Sequence, residues 1–326
     1  MKPLTFAVLR LLADGEFHSG EDLANMLGVS RASIWNALKE ADAMGLTLYR
    51  IRGRGYRLAE PVQWLDKSRI ISALGAHANR FKLELIDCID STNTLLMQKA
   101  SGAVDGSVLA AELQTRGRGR RGRHWHANLG GALTFSLLWR IDQGVGFLTG
   151  LSLAVGVALL RALKSLGVSG AALKWPNDVV HHNCKLAGIL IEVQGDVLGP
   201  SLAVIGIGMN LKLSERTKAV IGQPTTDLYS VTGLVPERNH ALACILRHLA
   251  QVLDIFAVHG FSGLRKEWVE HHVYQNKNVR ILLPENGTDE GIVTGVDTAG
   301  ALLIKTSDGE RRYNTGEISL RAGHVL

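Results

Sequence analysis

The sequence predicts an α+β protein of three consecutive parts: a winged helix-turn-helix over residues 1–62, a larger domain of strands and helices over 63–274, and a small β-barrel over 275–326. Three features carry that division. Apolar residues at helical spacing, broken by a tight glycine turn, fill the opening stretch and give way to a hairpin tipped with arginine. The middle of the chain alternates helical segments with near-continuous apolar runs such as Leu186 to Ile191, the pattern of strands covered on both faces. From about Val279 the apolar runs shorten and are punctuated by Asn286-Gly287, Ala299-Gly300 and Asp308-Gly309, which are hairpin signals.

Taken in order, Leu4, Val8, Leu11 and Leu12 define a first helix that ends at Asp14-Gly15. Ser19 with Asp22 three residues on caps a second, whose apolar face is Leu23, Met26 and Leu27. After the turn Gly28-Val29-Ser30, Ser30 caps a third helix that points Ile34, Leu38 and Ala41 inward. Arg31, Ser33, Trp35, Asn36 and Lys39 are left on its other faces, where a recognition helix would meet DNA. The hairpin from Leu46 to Leu58 sets Arg52 and Arg54 at its tip, placed to meet phosphates. Pro61 to Asp66 reads as a linker.

The middle domain opens on a strand, Leu83 to Ile89, followed by a helix that Ser91 or Thr92 can cap. Hydroxyls at such a helix start can instead hold a neutral polar ligand. Ser107 to Gln114 is a further strand. Between it and the alternating Leu133, Phe135, Leu137 and Trp139 lies Thr115 to Arg123, with five arginines, three glycines and no acid. Left alone, such a stretch repels itself and should be mobile; guanidinium forks and glycine amides could order it over a phosphate or carboxylate. Gly117, Gly119 and Gly122 spell a dinucleotide-binding motif, but that motif belongs between a strand and a helix, and here both flanks are strands. Phe147 to Leu160 is expected to be a buried core helix, being too short for a membrane span. Lys174-Trp175-Pro176-Asn177-Asp178 forms a turn at a strand end. His181-His182-Asn183 lacks further ligands at metal spacing, so no structural metal is expected. Lys185 sits at the edge of a buried strand, where next to an anion-binding loop it could stabilise developing charge. Gly206 and Gly208 permit close approach to a neighbour or ligand in another strand. Residues 212–236 show weak periodicity and read as a flexible loop, followed by helices over His240 to Val258 and around Trp268.

An apolar fraction of 46% excludes wholesale disorder, and a net charge of +6 favours anionic partners. Three scattered cysteines and the absence of a visible signal segment point to a reducing, cytoplasmic setting without membrane attachment.

Gly-Arg-Gly-Arg-Arg-Gly at 117 to 122, Lys-Trp-Pro-Asn-Asp at 174 to 178, Lys185-Leu-Ala-Gly188 and Gly-Ile-Gly-Met-Asn at 206 to 210 together resemble the biotin protein ligase family. With the N-terminal winged helix, the chain is similar to the bifunctional subgroup that also represses the biotin operon. The resemblance implies a central mixed sheet like that of class II aminoacyl-tRNA synthetases and a C-terminal SH3-like barrel. It implies two steps: biotin and ATP give biotinyl-5′-AMP, then a carrier-domain lysine takes the biotinyl group. Ser91, Thr92, Asn93 and Gln114 would then contact biotin. Gly117, Arg118, Gly119 and Arg120 would close over carboxylate and phosphate, with Gly188 and Asn210 also at the site. Lys185, Arg118 and Arg120 would be catalytic, and Asp178 is a candidate to hold, directly or through water, the Mg2+ that accompanies ATP. The implied partners are a biotin carboxyl-carrier domain, operator DNA and, once the adenylate is bound, a second copy of the chain. No tryptophan lies between Lys212 and Val235, where an adenine-covering aromatic is expected. Two other readings compete. A lipoate-type ligase would lack the winged helix and carry a different loop; a ligand-sensing transcription factor with an inactive ligase domain is opposed by Lys185 and the intact arginine loop.

Overall fold

The computed structural model describes residues 3–282, 287–314 and 319–322. The first part holds helices α1 (Pro3–Leu11), α2 (Gly20–Leu27) and α3 (Arg31–Ala43) and the hairpin β1 (Leu48–Ile51) and β2 (Gly55–Leu58). Both expected caps form: Ser19 Oγ accepts from the Asp22 amide at 3.0 Å, and Ser30 Oγ from that of Ser33 at 3.1 Å. Ile34, Leu38 and Ala41 are buried on Phe6, Leu9 and Leu23. Backbone bonds between His18 and Tyr56 tie the hairpin to the helices, so the wing has a fixed base.

Residues 61–66 form neither helix nor strand, as a linker would, yet they are not a loose tether. The buried Arg238 donates to Glu112 Oε2 at 2.6 Å and to the Gln63 carbonyl, while Glu112 Oε1 accepts from the Leu65 amide at 2.6 Å. Arg10 pairs in bidentate fashion with Asp87, and the Leu129 amide donates to the Met44 carbonyl at 3.0 Å. Leu113 and Leu129 of the middle domain belong to the same apolar cluster as the helix-turn-helix. The helix-turn-helix is thereby packed onto the sheet rather than strung from it.

The middle domain begins with α4 (Lys67–Leu74), β3 (Lys82–Ile89), α5 (Thr92–Gln98) and β4 (Ser107–Gln114). The short pair β5 (Gly117–Arg118) and β6 (His124–Trp125) comes next, then β7 (Ala132–Ile141), α6 (Leu151–Ser165), β8 (Ala171–Lys174), β9 (Asp178–His181), β10 (Cys184–Gly195) and β11 (Ser201–Asn210). The helices α7 (Glu215–Val220), α8 (Leu228–Thr232), α9 (Arg238–His259) and α10 (Arg265–Glu270) complete it. Seven strands form one mixed sheet in the order β3-β4-β7-β11-β10-β9-β8, parallel only between β3 and β4. The alternation expected in β7 does not separate core from solvent, because α6 and α9 cover one face and α5 the other.

Two expectations are corrected here. The core helix does not run from Phe147: Val145–Leu148 is a short 3-10 turn, and α6 starts at Leu151, just after Gly150 at φ +78°. A Cβ at Gly150 would lie 2.7 Å from Phe261 Cβ, so the break is also a close approach. Residues 212–236 are not a featureless loop but carry α7 and α8, capped by Ser214 and Asp227. Asp227 is buried; it accepts from the Ser230 and Leu213 amides and sits 3.3 Å from Lys218 Nζ, which anchors the segment. By length and composition Arg238–Gly263 could cross a membrane, but Leu242, Leu246 and Leu249 are fully buried in the protein core.

The C-terminal strands β12 (Asn278–Leu282), β13 (Thr288–Val296), β14 (Leu302–Thr306), β15 (Gly309–Tyr313) and β16 (Ser319–Ala322) make an antiparallel sheet in the order β15-β14-β13-β12-β16. Among the described residues no pairing joins β15 to β16, so the barrel is seen as a five-stranded sheet. Turns lie at Ala299-Gly300 and Asp308-Gly309 as expected; Asn286 lies outside the described residues.

Candidate active site

The site rises from a trench in the sheet. Gly206 of β11 stands beside Leu190 and Ser136, and Gly208 beside Gly188 and Thr134, so one sheet face loses its side chains there. A Cβ on Gly206 would come within 2.1 Å of Asn93 Oδ1, and one on Gly208 within 2.4 Å of the Trp125 ring. The close approach read from these glycines is therefore to Asn93 and Trp125.

Ser91, Thr92 and Asn93 are each 3% exposed at the start of α5. Ser91 caps that helix through a long bond, 3.4 Å, from the Thr94 amide. The others build a polar floor. Gln114 Oε1 accepts from the Thr92 amide at 2.7 Å, Ser136 Oγ donates to Asn93 Oδ1 at 2.6 Å, and Ser136 and Thr92 hydroxyls lie 2.7 Å apart. Such a floor, satisfied within itself and walled by Phe135 and Trp125, suits a neutral heterocycle with an apolar body.

The arginine loop lies across this floor. Gly117 pairs with Trp125 and Arg118 with His124, and Arg121 (φ 56°) with Gly122 (φ 70°) turns the chain between them. The anion expected to order the loop is partly supplied from within: Arg118 grips Glu192 at 2.8 Å, and Arg116 lies 3.9 Å from Asp90. Neither acid is near the loop in sequence. Arg120 donates to Asn177 Oδ1 at 3.1 Å. Burial, with Arg121 and Arg123 close by, holds its guanidinium below the usual arginine pKa, against the opposing pull of Asp178.

Lys185 is fixed by its backbone. A bulge separates it from Ala187, its amide donates to the Pro224 carbonyl at 2.9 Å, and its carbonyl accepts from the Thr226 amide at 2.9 Å. Its ammonium lies 2.8 Å from Asp178 Oδ1, with both side chains 18% exposed. Asn177 is locked onto β10 by bonds to both backbone groups of Ile189.

Two adjoining cavities result. The first holds Ser91, Thr92, Asn93, Gln114, Arg118 and Gly188; the second holds Lys174, Asp178, Asn210, Ile221, Gln223 and Thr225. Gly119, Arg120, Trp125, Asn177 and Lys185 border both. Of the expected site residues only Gly117 lines neither, since it packs against Trp125 and Gln114. Asn210 Oδ1 is buried without a hydrogen-bond partner among the described residues, an acceptor awaiting a donor. Where the missing tryptophan was expected, Ile221, Gln223 and Thr225 form the wall. Sequence reading passed over Trp125, Asn177 and Glu192. An aromatic two residues past the last arginine was a usable signal for Trp125; nothing local marked Glu192.

In the N-terminal part, Ser30, Arg31, Trp35, Asn36, Lys39, Arg52 and Arg54 are exposed and Ser33 is half-buried. Ser30 and Ser33 spend their hydroxyls on each other and on the cap, whereas Lys39 Nζ lies 3.4 Å above the Trp35 ring. Arg54 leans on Phe17 at 4.5 Å.

A helix-turn-helix packed on a mixed sheet with two joined cavities, closed by a C-terminal β-sheet, defines the class of DNA-reading protein ligases. Residues 85–210 match the biotin/lipoate A/B protein ligase family, 275–321 the biotin protein ligase C terminal domain and 5–57 an HTH domain. The bifunctional ligase/repressor BirA of Salmonella typhimurium is 36% identical over 98% of both chains, and that of Escherichia coli 34% identical over 97% of this chain and 96% of its own. The biotin protein ligase of Aquifex aeolicus in complex with biotin and ATP superimposes with a TM-score of 0.64 at 30% identity, covering 74% of this chain and 99% of that one. The chain belongs to the bifunctional biotin ligase/repressor family.

Proposed function

We propose that this protein activates biotin with ATP, passes it to a lysine of a biotin carboxyl-carrier domain, and represses transcription in response to the adenylate. In the first step a biotin carboxylate oxygen attacks the α-phosphorus, forming a P–O bond as the bond to pyrophosphate breaks. In the second, an unprotonated carrier lysine attacks the acyl carbon, AMP leaves, and the amine loses a proton. The observation that carries the reading is the placement of Lys185 on the border between the two cavities, within reach of groups bound in either. Both steps gather negative charge at that border, where cations fixed by the fold need not reorganise.

In this reading the polar floor of Ser91, Thr92, Asn93 and Gln114 takes the ureido ring, and Arg118, Gly119 and Arg120 close over the acyl chain and phosphate. Lys185 bridges carboxylate and phosphate oxygens. The free acceptor on Asn210 matches the exocyclic amine of adenine, and Trp125 is the large aromatic available to cover the reacting groups. Mg2+ enters with ATP; Asp178, a carboxylate lining the nucleotide cavity, is suited to hold it directly or through water. The exposed face of α3 with the wing meets operator DNA, two copies assembling once the adenylate is bound. Three free cysteines fit a reducing cytoplasm. A lipoate-type ligase would not need the DNA-reading part, and an inactive sensor would not need Lys185 held so firmly.

The deciding assay mixes the protein with biotin, ATP, Mg2+ and a carrier domain. Label should appear on the carrier; none above background from folded protein would remove the enzyme claim. For repression, operator affinity should rise when biotinyl-AMP is added, and equal affinity in both states would contradict the switch.

A further inference from the structure

The arginine loop contains no acid, so its ordered shape needs charge from elsewhere. Glu192 of β10 supplies it. Arg118 donates Nη2 to Glu192 Oε1 at 2.8 Å and Nη1 to Oε2 at 3.2 Å, a fork-on-fork pair, and Nη1 also donates to Thr94 Oγ1 at 3.2 Å. The same Oε2 accepts from Asn93 Nδ2 at 3.0 Å. Asn93, 3% exposed, passes the constraint on through Ser136 to the polar floor. Glu192 itself lines neither cavity, and Arg118 borders only the first.

We propose that Glu192 is a positioning residue: a counter-anion that holds Arg118 over the biotin cavity and Asn93 within its floor, so that the two act together when biotin is bound. Arg118 then serves as the latch of the loop, while Arg120, Arg121 and Arg123 line the second cavity, where the phosphate would lie. The inference rests on the assignment of biotin to the first cavity.

The test uses the full chain with Glu192→Ala, Glu192→Gln, Arg118→Ala and the double Ala variant. Glu192→Ala should raise the KM for biotin and the dissociation rate of biotinyl-AMP about tenfold, as expected for losing a bidentate charged pair shared with a buried amide. The KM for ATP should stay within about twofold, and the double variant should be no worse than the more damaged single one. Glu192→Gln, which keeps a partner for Asn93 but not the charge, should fall between; it carries the same test if the Ala variant fails to fold. Unchanged adenylate release, an equal rise in both KM values, or multiplying effects of the two single variants would overturn the proposal. Wild-type protein that makes no biotinyl-AMP would instead overturn the assignment on which it rests.

Discussion

At the scale of single residues, the site is made by subtraction as much as by addition. Gly206 and Gly208 leave room that Asn93 and Trp125 fill, and a methyl group at either position has no space. Gly208→Ala should push the Trp125 ring off the border of both cavities, at about 1–3 kcal/mol in ligand affinity, the usual toll of overpacking. Titration calorimetry with biotin and with an ATP analogue would measure it; unchanged affinity for both would mean that Trp125 does not help hold them. These glycines were legible in the sequence as places of close approach, because their lack of a side chain is a local fact. What approaches them was not legible. Glu192 and Trp125 reach the loop through strand register and chain folding, and neither leaves a mark in the arginine stretch itself.

At the scale of elements, caps and turns told most. Ser19, Ser30 and Ser91 bond where their spacing to the next amides said they would. The start of α6 was missed because no charged residue interrupts the stretch around Gly150, whose left-handed backbone sets the boundary. Residues 212–236 were misread for the opposite reason: α7 and α8 are too short to show periodicity, and their anchor, buried Asp227, depends on tertiary partners. Helix α3 presents Arg31, Trp35, Asn36 and Lys39 to solvent. Trp35, 46% exposed, lies under the Lys39 ammonium. Trp35→Ala should leave the melting temperature within a few degrees, since alanine suits a helix, and lower operator affinity about tenfold. A fall in melting temperature with DNA affinity intact would make Trp35 a packing residue instead.

At the scale of the whole molecule, the junction of the sheet with the C-terminal domain carries an acid-sensitive group. His272 is buried against Trp268 and Tyr274, and burial, with Lys277 adding to it, pushes its pKa down from 6.5 to about 3. Between those values the unfolded chain takes up a proton that the folded one refuses, so stability is lost as pH falls through 6.5 and stops falling below about 3. From pH 7 to pH 5 this group should cost about 2 kcal/mol. Urea unfolding at both pH values would read it, and His272→Phe should flatten that part of the profile; an unchanged slope would show that His272 finds its proton without unfolding.

The buried pair of Arg238 and Glu112 sets a wider limit. Because it clamps the backbone between the reading helices and the sheet, the two cannot swing independently. Any two copies that join through their catalytic portions would hold their α3 helices at one separation, as the jaws of a caliper are held once its screw is tight. In such a dimer the distance between operator half-sites would be a property of the subunit's shape, and bases inserted between those half-sites would not be accommodated by stretching the protein.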